Sequence, residues 1–156
     1  MKPGYLRQLR SNKNKKGFIE TTLAKVANFR KGENLEKGFV TMKEMEKLHI
    51  FNRAYAFSKW LFNHTGKFPK SHRFSIAVKL ENTILELIEL ITTANMRRNK
   101  MDFLARADEK LLYLKILSRL SCELEFINVK SYEYAAKELV EIGRMLGSWI
   151  KQQQTS

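Results

Sequence analysis

The sequence predicts an all-α protein, an up-down-up-down antiparallel four-helix bundle at residues 41–156 with a basic N-terminal extension at residues 1–40. Three observations lead there. After residue 40 the apolar residues recur at helical spacing in four long segments. The breaks between those segments are short, as antiparallel neighbours require. No segment there has the alternating period of a strand.

Residues 1–40 carry ten lysines and arginines against three glutamates, which is +7 of the chain's formal +13. The stretch "SNKNKKG", with Lys13, Lys15 and Lys16, has little to bury and is expected to be a mobile arm. Phe18, Ile19, Thr22, Leu23, Val26 and Ala27 then recur at helical spacing, so one short helix is expected before "KGEN" ends the pattern. This composition suits a solvated extension as well as an arm that contacts phosphate or docks a partner.

The first bundle helix is expected to open on a capping box, Thr41 with Glu44, and to run through Leu48, Phe51, Tyr55, Leu61 and Phe62 to the break "HTGKFP". Ser71 can cap the second, whose apolar side is Phe74, Ala77, Val78, Leu80, Ile84, Leu87, Ile88 and Ile91. Asn99 with Asp102 opens the third, and Asn128 precedes the fourth. In the third, Leu104, Leu111, Leu112, Leu114, Ile116, Leu117, Leu120 and Leu124 go nearly all round the axis. One core cannot consume them all, so a second burial surface is expected from another subunit, in a homo-oligomer that includes Leu112 and Ile116. Lys115 and Arg119 stand one turn apart on the remaining polar stripe. They suit a solvated face with an internal salt bridge, or a positive ring once an oligomer repeats them about an axis. In the fourth helix Gly143 and Gly147 let another helix approach closely beside Trp149, and these three are expected with Leu112 and Ile116 at the oligomer interface, Trp149 itself reading as core rather than ligand platform.

A net charge of +13 and a pI near 9.9 point to a polyanionic partner or an acidic membrane surface. The single cysteine, Cys122, excludes a disulfide framework and a Cys-rich metal site, and a reducing cytosol is the expected compartment. The N-terminus lacks the apolar core of a signal peptide, and charge interrupts every long apolar stretch, so a soluble cytoplasmic protein is expected. Glu46-Lys47-Leu48-His49 is a Glu-x-x-His, but di-iron bundles need two such pairs and the sequence has no second. There is no Gly-rich phosphate loop, no His/Cys cluster at metal spacing and no nucleophile elbow. No cofactor is expected, and the residues do not compose an enzyme.

Three blocks carry a family resemblance: "KFPKSHRF" before the second helix, "ARADEKLLYLKILSRL" in the third and "EIGRMLGSWIK" in the fourth. They resemble, in order and over roughly residues 43–152, the accessory variability determinant (Avd) proteins of diversity-generating retroelements. The wider superfamily includes the four-helix proteins encoded in intervening sequences of 23S ribosomal RNA. The resemblance implies a highly basic, barrel-like homopentamer of four-helix bundles. It implies partners too: nucleic acid, as template RNA and also DNA, and the element's reverse transcriptase, whose error-prone copying the protein supports. It implies roles for Lys115 and Arg119 as the family's basic residues of the third helix. The long basic extension is outside the resemblance.

The segment "GKFPKSHRFS" gains a reading from this. Lys67, Lys70, His72 and Arg73 would stand at the mouth of the second helix, where backbone N–H groups also favour phosphate, while Phe68 and Phe74 anchor the turn. Two other functions fit the residues: a structured-RNA- or protein-binding protein without a polymerase partner, and a membrane-surface protein acting through the arm. The bundle itself is not expected to enter a membrane.

Overall fold

A computed structural model describes residues 42–155. The expectations placed on the arm, its short helix, Lys13, Lys15, Lys16 and the Thr41 cap lie outside the described residues. In chain order the elements are α1 (Met42–Met45), α2 (His49–Thr65), α3 (Lys70–His72), a π-helical turn (Arg73–Ala77), α4 (Val78–Met96), α5 (Met101–Glu123) and α6 (Val129–Gln154). No strand occurs among the described residues. Each of the four long helices packs against two others: α2 on α4, α4 on α5, α5 on α6 and α6 on α2. Each turns an apolar stripe inward, and the four stripes enclose a common core that includes Phe57, Ile84, Leu87, Ile91, Leu104, Leu114, Leu139 and Ile142.

The first expected helix is broken between Met45 and His49. Met45 and Ile50 are both buried, yet on one continuous α-helix residues five apart point about 140° apart. The turn at 46–48 brings both onto the core, and the Asn52 side chain donates to the Glu46 carbonyl across it.

Two expected caps are absent. Pro69, not Ser71, precedes α3, and Lys100, not Asn99, precedes α5, neither with a side-chain cap bond. Lys100 instead turns its ammonium back to the carbonyls of Ala94 and Arg97, closing the carboxyl end of α4. The Asn128 cap is present, its side chain accepting from the Ser131 N–H at 2.8 Å.

α5 ends in a Schellman closure that the sequence does not signal. The Glu125 N–H donates to the Cys122 carbonyl and the Phe126 N–H to the Ser121 carbonyl. Glu125, at φ 60°, occupies the left-handed position where glycine is usual. This reversal delivers Phe126 to the 66–77 connection, where it packs on Phe68 at 5.4 Å and on the His72 ring at 4.9 Å.

Of the two phenylalanines expected to anchor that connection, only Phe68 does so. Phe68 is 2% exposed and Phe74 86%. Counting back from Leu80 in steps of about 100° puts Arg73 on the core line of an unbroken α-helix and Phe74 about 120° away from it, already off the core. The Val78 N–H donates instead to the Arg73 carbonyl five residues back, so one extra residue is absorbed in the turn. That rotates the preceding side chains by about a further 100°. Arg73 leaves the core line, and Phe74 stays on the outside.

Candidate nucleic-acid interface

Lys115 and Arg119 lie in the middle and last third of α5, both exposed. Arg119 Nε donates to Glu123 Oε1 at 2.8 Å one turn on, and this bond raises its pKa. The pair is 72% and 59% exposed, so it contributes little to stability and exchanges readily for another anion. Lys115 has no ion-pair partner among the described residues. Its ammonium lies along α6, 3.5 Å from where a Gly143 Cβ would stand.

Beside these cations runs an apolar stripe turned away from the core: Leu112 (57% exposed), Ile116 (52%) and Leu120 (37%), with Tyr113 next to it. The spacing of four keeps the three on one line. Gly143 would meet Leu111 Cδ2 at 3.1 Å through an added Cβ, so the helix that approaches it is α5 of the same chain. Gly147 has open space around it, and Trp149 is half-buried against the core.

The cations of the Gly66–Ser75 segment divide by what they touch. Arg73 donates from Nη2 to the carbonyls of Gly66 and Phe68 and thereby closes the loop. His72 is stacked on Phe126. Lys67 and Lys70 are exposed and unpaired among the described residues. The mouth of a regular helix expected here is a three-residue turn followed by the π turn, and the His72 and Arg73 N–H groups both donate to the Pro69 carbonyl. Phe126 stands just past the end of α5 and Arg119 in its last turns, so the basic connection and Arg119 lie toward the same end of that helix.

Sequence reasoning misses a third cationic group. A cavity of about 580 Å³ opens between α4 and α5, lined by Glu86, Glu89, Leu90, Thr93, Arg97, Phe103, Arg106 and Lys110. Lys110 pairs with Glu86 at 2.5 Å and, chiefly through that bond, holds its carboxyl below the usual carboxylate range. Arg97 and Arg106 remain without an ion pair among the described residues. The signal that could have found the group is the connection "RRNK", more basic for its length than the Gly66–Ser75 segment.

Among the described residues no group of three or more His, Cys, Asp or Glu could hold a metal ion, and no helix is long and apolar enough to cross a membrane. His49 is exposed at the start of α2. Fold and surface together define an all-helical protein with exposed cations flanking an unburied apolar stripe. A family model described as bAvd-like matches residues 48–153, and the chain belongs to that family, whose members are of a non-catalytic accessory type. Comparison with curated proteins gives no match.

Proposed function

We propose that this chain is a non-catalytic nucleic-acid-binding accessory subunit of a diversity-generating retroelement. In this reading it associates with the element's reverse transcriptase and template RNA, and with DNA, and supports mutagenic reverse transcription. The observation that carries the reading is the bAvd-like match, which runs from the residue before α2 into the last turn of α6. The net charge of +13 and the lysines Lys67, Lys70 and Lys115, which have no ion-pair partner among the described residues, support it, since phosphate contacts supply most sequence-independent affinity.

The fold in this reading is the up-down-up-down antiparallel bundle. Long helices adjacent in sequence pack together and the last returns to the first, as that topology requires. The assembly is a barrel-like homopentamer. The Leu112, Ile116 and Leu120 stripe supports a subunit contact on α5, and repetition about an axis would gather Lys115 and Arg119 into a positive ring.

The test is a pull-down of the tagged protein from cells expressing its neighbouring genes, with Lys115→Glu/Arg119→Glu beside wild type. Recovery of a reverse transcriptase with its template RNA, weakened in the double variant, is the expected result. Recovery of bulk RNA alone, equally in both, would leave a generic basic protein and overturn the retroelement assignment.

A further inference from the structure

We infer that Phe74 is a stacking platform for an unpaired nucleobase, held beside phosphate-binding lysines by the π-helical turn; the inference rests on the nucleic-acid-binding reading above. Phe74 is the most exposed large apolar residue among those described, at 86%. Helical spacing from Leu80 sets it about 120° away from the core. The extra residue absorbed between Arg73 and Val78 takes Arg73 off the core line, and Arg73 bonds to the Gly66 and Phe68 carbonyls of the preceding loop. Phe126, stacked on His72 and tilted against Phe68, braces the same backbone. An aromatic ring is thus presented to solvent from a supported segment. Single π turns inside helices are frequent at functional sites.

The surrounding charge selects the occupant. From Gly66 to Leu80 the chain carries Lys67, Lys70, His72, Arg73 and Lys79 and no acidic residue. Lys70 is four residues before Phe74, and both Lys67 and Lys70 are exposed and unpaired among the described residues. An exposed aromatic with lysines around it matches the two parts of a single strand, a base with a free face and a phosphate on either side. A duplex keeps its bases stacked inside and offers that ring nothing. The inferred ligand is therefore single-stranded nucleic acid, bound without regard to sequence because every base has a face to stack.

The experiment measures binding of the full chain to a labelled oligo(A) RNA, an oligo(dA) of the same length and a blunt RNA duplex, for wild type, Phe74→Ala, Phe74→Leu and Phe74→Trp. Alanine and leucine should each weaken binding to both single strands on the order of tenfold, and leave duplex binding as it was. Tryptophan should restore the affinity, and its fluorescence should be quenched by the single strands. The salt dependence should be the same in all four proteins, because no charge has been removed.

Three results would overturn the inference while leaving the nucleic-acid reading intact. One is unchanged single-strand affinity in either Phe74→Ala or Phe74→Leu. Another is an altered oligomeric mass in Phe74→Ala, which would assign the ring to a second copy of the chain. The third is that Phe74→Ala loses binding to vesicles of phosphatidylserine and phosphatidylcholine while keeping its RNA affinity. If wild type binds none of the three nucleic acids at low salt, the functional reading fails and this inference with it.

Discussion

Arg53 on α2 and Glu138 on α6 form a two-pronged ion pair, Nε to Oε2 at 2.9 Å and Nη2 to Oε1 at 3.1 Å. The carboxylate side chain is 15% exposed and the guanidinium 34%, so the pair is far more sheltered than Arg119 with Glu123. Planar pairing of this kind fixes both distance and angle between two helices that are far apart in sequence. Arg53→Met should therefore destabilise the chain by about 1–2 kcal/mol, because Glu138 is left partly buried with its two bonds unmade. Urea unfolding checks this, and Arg53→Met/Glu138→Leu should recover much of the loss. A double variant as unstable as the sum of the singles would mean that the two residues act separately.

Acid should weaken the α4–α5 contact through Glu86. Lys110 lowers the pKa of this carboxyl in the folded chain, so folding favours its charged form. The stabilisation is fully present above the unfolded value, and is lost as pH falls through the lower, folded value. Lys110→Met should flatten that acid limb in thermal unfolding measured across the carboxylate range. An acid limb of unchanged steepness would show that Glu86 does not govern it.

The exposed stripe on α5 should respond to charge without loss of the fold. Leu112 and Ile116 are more than half exposed, so Leu112→Lys/Ile116→Lys should change the stability of an isolated chain by only about 0.5 kcal/mol. Light scattering should show the proposed assembly reduced toward the 18.3 kDa of one chain. Unchanged mass would remove this stripe from the subunit contact.

Lys115→Gln/Arg119→Gln should lower RNA affinity and its salt dependence together. For a single strand, every phosphate that the protein no longer neutralises reduces the slope of log K against log salt by about 0.7. The bond from Arg119 to Glu123 does not exempt it, since an exposed pair is weak enough to yield to phosphate. An unchanged slope would assign the phosphate-binding role to other cations.

Helix content, the long apolar stripes and the Asn128 cap are legible in the sequence because each depends on local spacing. So is the surplus of apolar surface on α5, since Leu112, Ile116 and Leu120 lie opposite the buried Leu104, Leu111 and Leu114. The apolar pattern groups Phe74 with the apolar side of α4 although six residues from Leu80 is about 120° round the helix, and what spacing does not show is the π turn that takes Arg73 off the core line. The break before His49 has neither glycine nor proline to announce it; it follows from where Met45 and Ile50 must both go. Glu125 likewise hides a closure that a glycine would have advertised. The cavity between α4 and α5 joins Glu86 and Arg97 to Phe103 and Arg106 across a helix connection, and no single-helix pattern displays that juxtaposition.

Phe126 touches both Phe68 and His72, so the two connections at this end of the molecule share one ring. The backbone that presents Lys70 and Phe74 is consequently ordered by folding itself, before any ligand arrives. A strand meeting this surface would not have to wait for a loop to find its shape. Its encounter rate should be set by diffusion and charge, and its dwell time by how firmly Phe126 holds the segment in place.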